Sequence, residues 1–144
     1  MPDDKKILQR LSILTPADRL KVMKYMFLTY LDEKAWANLG EAEQQRLMAK
    51  CAPHVEKLVA AGKFLGGAPL HPTSTATTVR ATNGKRVVTD GPFAETREQL
   101  GGYGLIEAEN LDEAIEIASG FIGTYSMSSI EVRPVVEFTP PAGK

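Results

Sequence analysis

A single cysteine, Cys51, excludes any disulfide within this 144-residue chain and any thiolate metal cluster. A reducing, cytoplasmic location is the expected setting. Histidine is almost as scarce. Only His54 and His71 are present, and no HxxxH or HxH spacing joins them, so a metal site built from both imidazoles and a carboxylate is not expected. An excess of one charge is missing too: 17 Lys and Arg stand against 18 Asp and Glu, for a formal net charge of -1. The two signs interleave, which leaves no basic stripe to displace counterions from a phosphate backbone, and nucleic acid is not an expected direct partner. Long apolar runs are absent. The longest, residues 26–31, is interrupted by Thr29 and falls far short of the roughly 20 residues of a membrane helix. At the start, Asp3, Asp4, Lys5 and Lys6 mix charges, and Gln9 and Arg10 interrupt the apolar residues beyond them. No secretory apolar core forms there, so neither membrane insertion nor export is expected. Gly62, Gly66, Gly67, Gly101 and Gly102 are not followed by Lys-Ser/Thr and lack a strand–turn–helix setting. A nucleotide cofactor is therefore not expected, and none of another kind is indicated.

What remains is a chain long enough for one hydrophobic core and short for two. Residues 1–22 read as a helical N-terminal arm, with Ile7, Leu8, Leu11 and Leu14 at helical spacing before a break at Thr15-Pro16. This arm is either an extension or an upstream stretch that is not always translated. A compact domain is expected over residues 23–138, with a short tail over 139–144.

Within the domain, residues 24–31 place apolar side chains on both parities: Met26, Leu28 and Tyr30 against Phe27 and Leu31. That is the pattern of a strand covered on both faces. Helices account for one covering, and a partner subunit is the expected source of the other. Residues 41–61 carry Leu47, Met48, Cys51, Val55, Leu58 and Val59 in one helical stripe, with Gly62 placed to end it. Cys51 is expected to be a buried structural residue of that stripe. Pro53 predicts either a kink or the meeting of two shorter helices. Residues 75–82 and 85–89 are rich in Thr and Val around Asn83-Gly84, a hairpin with a type I′ turn. Its two-residue loop puts Arg80 opposite Val87 and Thr78 opposite Thr89. A strand over 102–109 comes next. Asn110 then offers an N-cap, with Glu113 three residues on, to a helix expected to bury Leu111, Ala114, Ile115, Ala118, Phe121 and Ile122. Residues 130–138 alternate as a last strand, in which Pro134 marks an edge or bulge. The order strand, helix, Gly-rich stretch, hairpin, strand, helix, strand gives an α+β fold of the ferredoxin-like split βαβ type, with an elaborated middle.

Residues 89–103 combine turn-forming and ionisable side chains. Read by conformation alone, Asp90 caps a turn, Gly91 supplies an unusual φ, Pro92 stiffens the exit, and Glu95, Arg97, Glu98 and Gln99 are solvated. Arg80 on the hairpin could grip a carboxylate or phosphate with its planar fork, or pair across the strands. His71 comes after the Gly-rich stretch, at what would be the mouth of a cleft.

The Asp90-Gly91-Pro92-Phe93 run, with Met23-Lys24-Tyr25-Met26, Gly66-Gly67-Ala68-Pro69-Leu70, Thr77-Thr78-Val79-Arg80, Leu111-Asp112-Glu113-Ala114 and Ile130-Glu131-Val132-Arg133-Pro134, resembles the signature of YCII-related proteins of the DGPF type. The resemblance implies a homodimeric, dimeric α+β barrel in which the sheet faces of two subunits pack together. It carries no general reaction, and some similar proteins are associated with sigma factors of the extracytoplasmic-function type. Shorter members of the wider group are suspected enzymes built on a His and Asp pair, which implies His54 and Asp90 as catalytic residues here. Asp90 would orient the imidazole, and His54 would act as general base. His71, Arg80, Phe93, Glu95 and Tyr103 are the substrate-binding candidates around a small cleft bordered by the first helix and residues 90–99. Two functions are therefore expected as alternatives. One is a cofactor-independent enzyme acting on a small polar metabolite; the other is a non-catalytic ligand-binding or regulatory module. A pure interaction scaffold, working through the arm, is a third.

Overall fold

The computed structural model describes residues 22–122 and 128–137. Apart from Val22, the expected arm lies outside them, as do the tail and Phe138. The elements are β1 (Met23–Leu31), α1 (Glu33–Asn38), α2 (Glu41–Ala60), β2 (Phe64–Pro69), a 3₁₀ turn (Thr73–Thr75), β3 (Thr77–Thr82), β4 (Lys85–Asp90), β5 (Gln99–Ala108), α3 (Leu111–Ile122) and β6 (Ser128–Pro134). Four strands form one antiparallel sheet in the order β2-β5-β1-β6, while β3 and β4 form a separate two-stranded sheet. With the hairpin set aside, the first and third strands in sequence lie at the centre of the main sheet and the second and fourth at its edges, which is the ferredoxin-like arrangement.

Strand alternation sends Tyr25 and Phe27 of β1, and Ile106 and Ala108 of β5, to one face. There they meet Leu58 of α2 and Ala114, Ile117 and Ala118 of α3, with Phe64, Phe121, Ile130 and Val132 packed around them. Each large side chain removed from water in this cluster contributes roughly 1.5–3 kcal/mol. By the same alternation, Met26, Leu28 and Tyr30 point to the opposite face, where none of the core helices lies.

The hairpin keeps the predicted register, with Arg80 opposite Val87 and Thr78 opposite Thr89. Asn83 and Gly84 both have positive φ, 51° and 75°, as a type I′ turn requires. Asn110 caps α3 as expected, its Oδ1 accepting the Glu113 N–H at 2.9 Å. The face that α3 buries differs from the expected one: Ile117 is buried, whereas Leu111, Ile115 and Ile122 are largely exposed. Residues 114, 117, 118 and 121 form the tightest i, i+3, i+4, i+7 set, and one sheet surface can cover only the centre of a wide apolar stripe.

Three further elements depart from the reading by pattern. The Gly-rich stretch is a strand, β2, because backbone pairing with β5 holds it despite the poor strand propensity of Gly66 and Gly67. Residues 99–101 extend β5 beyond its expected start. The short α1 is a helix because the Asp32 Oδ1 accepts the N–H groups of Lys34 at 3.0 Å and Ala35 at 3.1 Å, capping its first turn. In α2, one continuous helix runs through Pro53 rather than two. Pro134 ends β6, an edge strand, where a missing N–H is tolerated.

Candidate functional site

Helix α2 carries a long apolar stripe, but Leu58, near its C-terminal end, is the only residue of the helix that is fully buried. Leu47, Cys51 and Val55 are part-buried, while Met48 and Val59 are exposed. The reason lies in the sheet below. Opposite the first half of α2, the floor is formed by Gly67, Gly101, Gly102 and Gly104, which present no side chains to fill the space under the helix. A cleft of ≈ 640 Å³ remains, within the size range of small-molecule sites. Its walls include Leu47, Cys51 and Val55 from α2, Trp36 from α1, Phe27 from β1 and Phe64 from β2, with Leu70 and Pro72 on the loop after β2.

A hydrogen-bonded frame holds the α1 side of this cleft. The Glu33 N–H donates to the Gln99 Oε1 at 3.0 Å, which fixes the start of α1 to the start of β5. The Glu33 carboxylate accepts from Thr73 twice, from its N–H at 2.8 Å and its hydroxyl at 2.7 Å. Thus α1, the loop of residues 70–76 and the first residue of β5 are tied into one unit. At the other end of the domain, Lys63 and Glu113 form an ion pair that joins the approach to β2 to the first turn of α3. On α2, the Arg46 guanidinium hydrogen-bonds to Glu43 and holds that carboxyl below its ordinary range. Neither residue lines the cleft.

The residues singled out by sequence are distributed elsewhere. His54 lies on α2 but turns toward α3, where its Nε2 is 2.9 Å from the Ile117 carbonyl oxygen and its ring meets Phe121 edge-on at 4.5 Å. Asp90 is the last residue of β4, opposite Thr77, and is exposed. No hydrogen bond or ion pair among the described residues joins it to His54. Arg80 and Phe93 do come together: the Arg80 guanidinium donates to the Phe93 carbonyl oxygen, which fastens the loop after β4 to the hairpin. The Phe93 ring itself is 75% exposed, and Glu95 is exposed beside it. His71 is exposed between two cleft residues, Leu70 and Pro72. Of the seven candidates only Tyr103 borders the cleft, between Gly102 and Gly104 of its floor, and strand alternation turns its side chain to the opposite face of the sheet.

Pattern reading passed over Trp36, Glu33 and Glu56. The first two sit on a helix too short to show a period. Glu56 reads as a solvated helix position, and it is exposed while also bordering the cleft. One signal was available. The apolar stripe of α2 extends further than the glycine-poor part of the sheet, so its first half has no side chains to pack against.

Comparison with known proteins gives two findings. Residues 23–139 match the model of the YCII-related domain. An uncharacterised protein of Rhizobium meliloti (strain 1021) is 40% identical to this chain over 119 residues, which make up 82% of this chain and 96% of the relative.

Proposed function

The chain belongs to the YCII-related family, and from that premise we propose that it is a homodimeric ligand-binding module of the cytoplasm that holds a small, mainly apolar molecule between α2 and the sheet. The observation that carries this reading is the ≈ 640 Å³ cleft with apolar walls and a glycine floor. A packed interior leaves few voids larger than a water molecule, because empty space forfeits dispersion contacts and burial energy. A cleft of this size framed by fixed hydrogen bonds is therefore better explained by an occupant than by poor packing. The helix-free face of the sheet, with Met26, Leu28 and Tyr30, supplies the surface for the second subunit.

This reading does not depend on a His54 and Asp90 pair. An imidazole nitrogen facing a carbonyl oxygen must carry a proton, so the Nε2 of His54 is committed as a donor to Ile117. Base catalysis by His54 would have to proceed through Nδ1, with Asp90 brought to it by a movement of the loop after β4. Binding requires no such movement.

Trp36 is the only tryptophan in the chain and lines the cleft, so its fluorescence reports on the site. Titration with Nile red, a neutral apolar fluorophore, should change Trp36 emission saturably, and Cys51→Phe, which fills the cleft from α2, should abolish that change while leaving the thermal midpoint close to wild type. Saturable binding that is identical in the filled variant, or no binding by the wild type, would overturn the proposal.

A further inference from the structure

We propose that the N-terminal arm docks on the outer flank of α3, where residues 4–14 form a further helix beside the edge of the sheet. The flank is apolar and uncovered: Leu111, Ile115 and Ile122 are 49%, 46% and 41% exposed. At about 100° per residue these three fall within one narrow stripe. It lies on the side of α3 away from Gly120, which faces His54 of α2. Because α2 packs on β2 while α3 packs on β5 and β6, that side looks out over β6, an edge strand. Met23 shares the helix-covered face of β1 with Tyr25 and Phe27, yet it is 45% exposed. It pairs with Ala108, just ahead of α3, and so marks the end of the stripe at which the arm joins the domain.

The chain itself supplies the occupant. Residues 1–21 lie outside the described residues and lead directly into Val22 and β1. Ile7, Leu8, Leu11 and Leu14 share one helical stripe. As a helix, residues 4–14 are about 16 Å long, close to the length of the run from Leu111 to Ile122. The link of residues 15–21, broken at Thr15-Pro16, spans up to about 23 Å, enough to reverse the chain and lay the arm antiparallel to α3. Charge favours the same pairing. Residues 1–21 hold five basic side chains, Lys5, Lys6, Arg10, Arg19 and Lys21, against three acidic ones. Helix α3 carries Asp112, Glu113 and Glu116 and no Lys or Arg. Glu113 is paired with Lys63, while helical phase puts Asp112 and Glu116 on the outer side, next to the apolar stripe. An isolated helix as short as the arm is marginal in water, so docking supplies the arm with the burial it needs and the flank with a cover.

The test is amide hydrogen exchange on the full-length protein. In the wild type, residues 4–14 should exchange at least about tenfold more slowly than an unstructured chain. Ile115→Asp on the flank and Leu11→Asp on the arm each put an unpaired charge into the contact. Either should return residues 4–14 to unstructured rates while β1 and β5 stay protected. Leu111→Asp asks the same of the flank should Ile115→Asp fail to fold, since a carboxylate suits the first turn of a helix. Val59→Asp, on the exposed side of α2, should leave the arm protected. Mixing the Leu11→Asp and flank variants distinguishes an arm held by its own chain from one exchanged with a second copy. An arm held by its own chain stays unprotected in the mixture, and recovery of protection would overturn docking within one chain. An unprotected arm in the wild type, or protection that survives the flank substitutions with the sheet intact, would overturn the proposal outright.

Discussion

Gly120 of α3 faces the imidazole of His54 so closely that a Cβ placed on it would lie 2.5 Å from Nε2 and 2.6 Å from Cε1. Glycine inside a helix costs about 1 kcal/mol relative to alanine, so its presence at this position needs a reason, and the ring of His54 supplies one. The two helices cross there by means of the missing side chain, and the bond from His54 to the Ile117 carbonyl fixes the ring over it. Gly120→Ala is therefore expected to destabilise the domain by about 1–3 kcal/mol through overpacking. In a His54→Ala background the same substitution should become neutral or stabilising by up to about 1 kcal/mol, as helix propensity takes over. Urea denaturation of the four proteins of this cycle gives the coupling directly. Additive effects would mean that the imidazole moves aside without cost.

The cycle also illustrates what was legible in the sequence. His54 falls within the main helix by pattern, but which neighbour its side chain turns toward depends on where the next helix crosses. That crossing is set by Gly120, far along the chain on α3. Features governed by local chemistry were readable: the Asn83-Gly84 turn and its register, the Asn110 cap, and the two-sided alternation of β1. Features governed by long-range pairing were not. β2 looks like a loop because Gly66 and Gly67 conceal it, and only β5 makes it a strand. The expected cleft shares its main-helix wall with the observed one, but its other border, residues 90–99, is not part of the lining, for a related reason. A stripe such as Leu47, Cys51 and Val55 signals a core, and whether that core is filled depends on side chains present or absent on distant strands.

The glycine floor allows a paired prediction. At Gly104 a Cβ would have its nearest neighbours at 3.8 Å (Phe27 Cβ) and 3.9 Å (Phe64 Cε2), ordinary contact distances. At Gly67 a Cβ would lie 2.5 Å from the backbone oxygen of Tyr103 and 3.0 Å from the Gly104 Cα, neither of which can rotate away. Gly104→Ala should leave stability within about 1 kcal/mol of wild type while reducing the volume available to a ligand. Gly67→Ala should cost about 1–3 kcal/mol and disturb the pairing of β2 with β5. Denaturation midpoints with Nile red binding measured on each variant separate the two; equal destabilisation would contradict the geometry.

Glu33 and Thr73 join α1 to the loop at the cleft wall through two bonds to one carboxylate. Thr73→Val keeps the shape of the side chain and removes the hydroxyl donor, so one of the two bonds is lost. The expected cost is about 1 kcal/mol in this part-buried setting. It should be accompanied by faster hydrogen exchange of the Thr73 amide as the loop loosens, with amides of β1 and β5 unaffected. Unchanged exchange at Thr73 would show that the N–H bond to Glu33 alone holds the loop.

The remaining prediction concerns the helix-free face of the sheet. Met26 pairs with Leu105 and Leu28 with Tyr103 across β1 and β5, so these four side chains share one face and form a contiguous apolar patch. Toward β6 the same face becomes charged. Leu28 is opposite Glu131, Met26 is opposite Arg133, and the Arg133 guanidinium hydrogen-bonds to Glu131 at 2.6 and 3.0 Å. An apolar centre with a charged rim is the anatomy of an association surface. If it holds two subunits together, the wild type should sediment at about twice the chain mass of 15.7 kDa. An aspartate at the centre would then be buried without a partner on both sides of a twofold interface. Each copy would carry a desolvated charge, so Leu28→Asp should yield monomers rather than a weakened dimer. The circular dichroism of the sheet should persist, because Leu28 makes no part of the helix-covered core. Val136→Asp is the control, since Val136 is 85% exposed and lies beyond the end of β6; it should leave the mass unchanged. Sedimentation of Leu28→Asp at the wild-type mass would remove the sheet face as the site of dimerisation and direct attention to another exposed apolar pair, Val79 and Val88 on the hairpin.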